Sequence, residues 1–219
     1  MNKLSFKDSM STCHKIVTDS NGKRYIMDTS TIKPNVYGFG IIPKQVSVDM
    51  VEFGHHDQNF EFKAKPSPKY MGAVAATQPL TTILFKVFEG IFLKYNIHQR
   101  VFLKWGIVAL SAFIAYLLVK VYIKQAQKKV AERLPKNAKR YTATFTFAKR
   151  RDFSYWFGIG LVVIFVFLFM RANDGGEGIL LIPITILSWL FFIFWLGMTP
   201  IDYDYEKQYI SLVSIEEKK

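Results

Sequence analysis

A single cysteine, Cys13, stands in the 219-residue chain, so no internal disulfide can form and no cysteine cluster is available for zinc. Acidic residues are scarce too: 17 Asp and Glu face 29 Lys and Arg, giving a formal net charge of +12. HExxH, GxSxG, CxxC and glycine-rich phosphate-loop patterns are all missing. With no acid/base pair in a supporting environment either, the chain is expected to be non-enzymatic and to need no cofactor. The opening segment MNKLSFKDSMSTCHKIVTDS lacks the apolar core of about 7–15 residues that marks a cleavable secretory signal. His55, His56 and Asp57 do not make a metal site, because adjacent side chains on an extended segment point to opposite sides. His14, beside Cys13, and His98, in a turn, are no stronger as ligands.

What the chain has instead is apolar length. Residues 153–170 (FSYWFGIGLVVIFVFLFM) run for 18 positions without a formal charge, and 178–199 (GILLIPITILSWLFFIFWLGMT) for 22. At about 1.5 Å per residue either can cross a hydrocarbon core of roughly 30 Å as a helix, the state that satisfies the backbone within lipid. Upstream, 102–123 has an uncharged centre of 15 residues between Lys104 and Lys120, whose long stems are expected to snorkel to the interface. Residues 71–93 form a fourth, weaker span, with Pro79, Lys86 and Glu89 inside it.

Charge orients the spans. Residues 124–152 hold ten Lys and Arg against Glu132 and Asp152, which places that connection in the cytoplasm. The expectation is therefore a membrane α-helical fold, a four-helix polytopic bundle with spans at about 71–93, 102–123, 153–170 and 178–199. A cytoplasmic β-rich region at 1–69, a basic cytoplasmic loop at 124–152 and a cytoplasmic tail at 200–219 complete it, with both termini inside and short external turns at 94–100 and 171–177. The polar segments read as strands: 14–19 and 24–29 flank the turn SNGK, and 45–53 and 141–148 alternate apolar with polar residues. The tail at 201–215 reads as a hairpin around 206–208, and 124–134 as a helical continuation of the second span. Since an isolated hairpin is marginal in water, these strands are expected to combine into one small sheet.

Two groups of residues stand out as candidate sites. Lys86 and Glu89, three apart on one helical face at membrane depth, suit an ion or proton path, or else a tilted helix whose charges reach the interface. Lys124, Lys128, Lys129, Arg133, Lys136, Lys139 and Arg140 suit anionic lipid headgroups, or simply fix topology. Gly106, Ser111, Ala115, Gly158 and Gly160 are small residues of the kind that let helices approach closely. The basic excess belongs to membrane topology, and nucleic acid is not an expected partner.

KRYIMDTST at 23–31, GFGIIPKQVSVDMVEF at 38–53 and FLKYNIHQRVFLKWGIVAL at 92–110 follow one another in an order that resembles the tandem five-TM family of Gram-positive membrane proteins. A basic loop, a membrane hairpin and a C-terminal strand continue the likeness. One departure is that 37–43 is too short to span, which leaves four membrane helices where that family has five. The resemblance implies a polytopic membrane protein, and one branch of that family supplies immunity proteins against membrane-depolarising toxins exported by type VII secretion. The partners implied are the lipid bilayer and a membrane-inserting toxin. Two other functions fit the residues: a membrane scaffold that recruits a cytoplasmic partner or anionic lipid, and a small transporter or channel subunit using Lys86 and Glu89.

Overall fold

The computed structural model describes residues 4–34, 43–54, 60, 71–135, 137–147 and 154–218, with backbone alone for 71–81 and 154–156. His55, His56, Asp57 and Lys136 lie outside the described residues. The chain divides into two compact units, one of Met1–Lys63, Val119–Tyr155 and Phe192–Lys219, the other of Ala64–Leu118 and Trp156–Phe191.

The first unit is built on a six-stranded antiparallel sheet in sequence order: β1 (Ser5–Asp8), β2 (His14–Thr18), β3 (Arg24–Lys33), β4 (Gln45–Phe53), β5 (Arg140–Phe147) and β6 (Ile210–Glu217). The β2–β3 turn forms because the Asp19 carboxylate accepts the backbone N–H groups of Asn21 and Lys23, while Gly22 takes φ 78°, open to a residue without Cβ. Strict alternation then sends every second side chain to one face. Val17, Met27, Val48, Met50, Ala143, Phe145 and Ile210 pack there, closed over by Ile201 and Tyr205 of the short helix α5 (Ile201–Glu206). Each large apolar side chain so buried contributes about 1.5–3 kcal/mol. On the opposite face Ile16, Ile26, Phe53 and Phe60 pack against Val130, beside the C-terminal end of the long helix α2 (Val101–Ala131).

In the second unit, helix α1 (Met71–Lys94) is followed by a 3-10 turn, Ile97–Gln99, and the first part of α2; α3 (Ser154–Arg171) is followed by a 3-10 turn, Gly176–Leu180, and the start of α4 (Leu181–Leu196). All four helices contribute to one apolar cluster, centred on Phe92, Ile97, Phe169 and Ile184. Gly178 sits directly against Phe88 and Phe92 of α1, a fit that leaves no room for a Cβ.

The expected four-helix polytopic bundle is overturned by this arrangement. The largest ordered assembly is the sheet, and among the described residues two helices are long and apolar enough to cross a membrane, Val101–Ala131 and Gly176–Leu196. Helix α3, 18 residues and about 27 Å long at the helical rise, lies at the lower edge of what a hydrocarbon core of roughly 30 Å requires. Helix α1 is interrupted chemically by Lys86 and Glu89. Of the small residues singled out in the sequence, Gly106, Gly158 and Gly160 do not draw helices together, since a Cβ added at any of them would meet open space, whereas Ala115 is fully buried. Only 17% of each spanning window is buried, unlike a helix from a soluble core, and this supports membrane association. The tail also differs from the expected hairpin. Residues 201–206 are helical, and the chain turns at Gln208, φ 59°, into β6.

Candidate functional site

Two constellations carry buried charge, one in each unit. In the helical unit, Lys104 lies in the first turn of α2 and is 1% exposed; Glu177, in the turn between α3 and α4, is completely buried. Their charged atoms stand 2.8 Å apart. Lys104 Nζ also donates to the Ala172 carbonyl and to Asn173 Oδ1 at 3.1 Å, reaches the Phe169 carbonyl at 3.5 Å, and sits 5.7 Å from the Phe169 ring centre. The reason is local: the last carbonyls of α3 have no intrahelical partner and sit at the negative end of its dipole, so a cation there satisfies both. An ammonium has three N–H groups, and the carbonyl and amide oxygens use them. Glu177 is left with a charge contact at Oε1 and, among the described residues, no hydrogen-bond partner at either carboxylate oxygen. The expected snorkelling of Lys104 is therefore corrected, since its head is turned inward to the α3–α4 turn.

In the sheet unit the face beside α2 is ordered in two rows by strand register. One row reads His14, Asp28, Asp49, Thr142, Glu216 across β2 to β6, and the next Ile16, Ile26, Val51, Arg140 across β2 to β5. Between them and the end of α2 opens a cavity of about 420 Å³, lined among others by His14, Asp28, Asp49, Gln127, Arg140 and Lys218. His14 is 4% exposed; its Nδ1 meets Ser11 Oγ at 2.9 Å, and its Nε2 stands 3.8 Å from Asp28 Oδ2. Burial pulls the His14 pKa below its ordinary 6.5, against the pull of the Asp28 charge, so the ring is neutral at pH 7. Asp28 itself is 19% exposed and, among the described residues, accepts from neutral donors: Ser30 N–H, Ser30 Oγ and, at 3.1 Å, Gln127 Nε2. Asp49, directly opposite on β4, has a cation, Lys218 Nζ at 2.9 Å.

Of the residues singled out in the sequence, Lys86 is exposed and Glu89 half-buried, and among the described ion pairs neither takes part. Lys124, Lys128, Lys129 and Arg133 are exposed on and just past the end of α2, with Lys128 3.9 Å from Glu132. Lys139 pairs with Glu217 at 3.4 Å, and Arg140 opens the β5 strand and lines the cavity. Cys13 is fully buried, and burial pushes its thiol up to about 11, which removes it as a nucleophile. Sequence reasoning missed Glu177, Asp28 and Asp49. The signal for the aspartates was present, as a lone acid at an interior position of two strongly β segments, YIMDTST and VSVDMVEF. No family model, curated protein or solved structure matches the chain.

Proposed function

We propose that the chain is a non-enzymatic membrane protein of the immunity type, which protects the cell that makes it against a membrane-depolarising toxin by binding the toxin's inserted helices. The observation that carries the reading is the breadth of unburied apolar surface on α2 and α3: Phe102 is 94% exposed, Phe157 72%, and Leu110, Phe113, Ile114, Leu118 and Val163 lie open along the same helices. Such surface is stable only in lipid or against another apolar helix, and helix faces in a bilayer associate by packing. The toxin as occupant rests on the resemblance of residues 23–31, 38–53 and 92–110 to the tandem five-TM family.

The arrangement we propose in the membrane is multi-pass, with both termini cytoplasmic. Support comes from the sheet, whose strands lie before α1, between α2 and α3, and after α4. Backbone pairing does not run through hydrocarbon, which favours one side for all three segments, with α1–α2 and α3–α4 each entering and leaving the bilayer as a hairpin, and the basic residues of 124–152 favour the cytoplasmic side. Bacteria expressing the full chain and challenged with a pore-forming toxin of type VII secretion are expected to keep their membrane potential, read with a potential-sensitive dye. Depolarisation equal to that of cells lacking the chain removes the proposal for that toxin.

A second reading, a scaffold that recruits a soluble partner, is favoured by the polar cavity on the sheet. Crosslinking of the intact protein in cells separates the two, since a scaffold captures a cytoplasmic protein whether or not toxin is present.

A further inference from the structure

We propose that the cavity on the α2 side of the sheet binds a small zwitterion, its ammonium taken by Asp28 and its anionic group by Arg140. The volume of about 420 Å³ is that of a small-molecule site. At one end stands a carboxylate that pairs with no cation among the described residues. Asp28 is four-fifths buried, its donors among the described residues are neutral, and His14, 3.8 Å away, is itself buried and held neutral. Asp49 faces it across the β3–β4 ladder, an arrangement of like charges that destabilises a sheet. Lys218 answers Asp49, and nothing among the described residues answers Asp28. A positive ligand group at Asp28 relieves both the burial and the repulsion.

At the other end is Arg140, exposed and in no ion pair among the described residues. Register fixes the separation. Arg140 pairs with Val51, Val51 with Ile26, and Ile26 lies two positions before Asp28 on the same face. Two strands and two residues put the two Cα atoms about 12 Å apart. Ile26, Val51, Val130 and Leu134 line the cavity with apolar surface suited to an alkyl body. The site therefore takes an amine and an acid joined by several methylenes. A dianion meets Asp28 and Asp49, and among the described residues no three ligating groups come together for a metal ion.

The test uses the intact protein in detergent at pH 7.5, with 6-aminohexanoate, hexylamine and hexanoate as probes in titration calorimetry. We expect 6-aminohexanoate to bind at least about tenfold more tightly than either half-molecule, the ratio one charge-assisted contact supplies. In Asp28→Asn that advantage over hexanoate disappears, and in Arg140→Gln the advantage over hexylamine disappears. Arg140 is exposed, so the second variant keeps the question open to decision if the first does not fold. Failure of 6-aminohexanoate to bind the wild type overturns the proposal. So does equal affinity for hexylamine, or unchanged affinity in Arg140→Gln.

Discussion

Lys104 and Glu177 are each nearly or fully enclosed, and the energetic consequence of removing one differs from that of removing both. Lys104→Met strands an ionised carboxylate away from water and frees the final carbonyls of α3, so a loss of about 3–5 kcal/mol is expected. Replacing both, Lys104→Met with Glu177→Leu, should recover a large part of it, because an apolar pair of similar volume avoids desolvating charge. Thermal unfolding of the purified variants measures the difference. His14 makes a prediction of a different kind. Its pKa in the folded protein lies below the ordinary 6.5, so between the two values the unfolded chain binds the extra proton. The stability this group provides is complete above about pH 6.5 and drains away as pH falls below it. Urea midpoints taken from pH 7.5 down to 5 are expected to decline, and His14→Gln to flatten that part of the slope.

Elements were legible in the sequence in proportion to how local their cause is. The strands at 14–18, 24–33, 45–53 and 140–147 follow from alternation and from one turn whose geometry Asp19 and Gly22 supply. The extension of α2 beyond the apolar stretch follows from helix-forming residues up to Ala131. What could not be read is whatever depends on distant partners. Helix α5 has alternating Tyr and Asp that look strand-like, but Ile201 is drawn into the sheet core and the segment winds up to present it. Lys104 looks like an interfacial anchor until the end of α3, some 65 positions later, offers it carbonyls. The aspartates of the cavity came together only through register, since Asp28 and Asp49 are opposite each other by pairing and not by spacing. At the element scale the tightest contact is testable. An added Cβ at Gly178 would fall 2.8 Å from Phe88 Cβ and 3.0 Å from the Phe92 ring, so Gly178→Ala should cost about 1–3 kcal/mol by forcing α1 and the α3–α4 turn apart. Ala at Gly158, which faces open space, is the neutral control in the same melting experiment.

At the scale of the whole molecule, the six strands come from three stretches of chain separated by apolar helices, and this makes sidedness a single question. Cysteines placed at the exposed Asn21 and at Glu216 are expected to react alike with an impermeant maleimide: silent in intact cells, labelled once the membrane is opened. Native Cys13 supplies no background, since its thiol is enclosed and its pKa stands at about 11. Labelling of one position and not the other in intact cells contradicts the shared side.

The β6 strand has a consequence for biosynthesis. It supplies Ile210 to the packed face and covers the outer edge of β5, so the domain cannot close until residue 217 has left the ribosome, by which time the greasy helices have already been synthesised. The nascent chain must therefore keep an unfinished β5 rim shielded until then, and a product cut short before Ile210 presents that open rim to quality-control proteases.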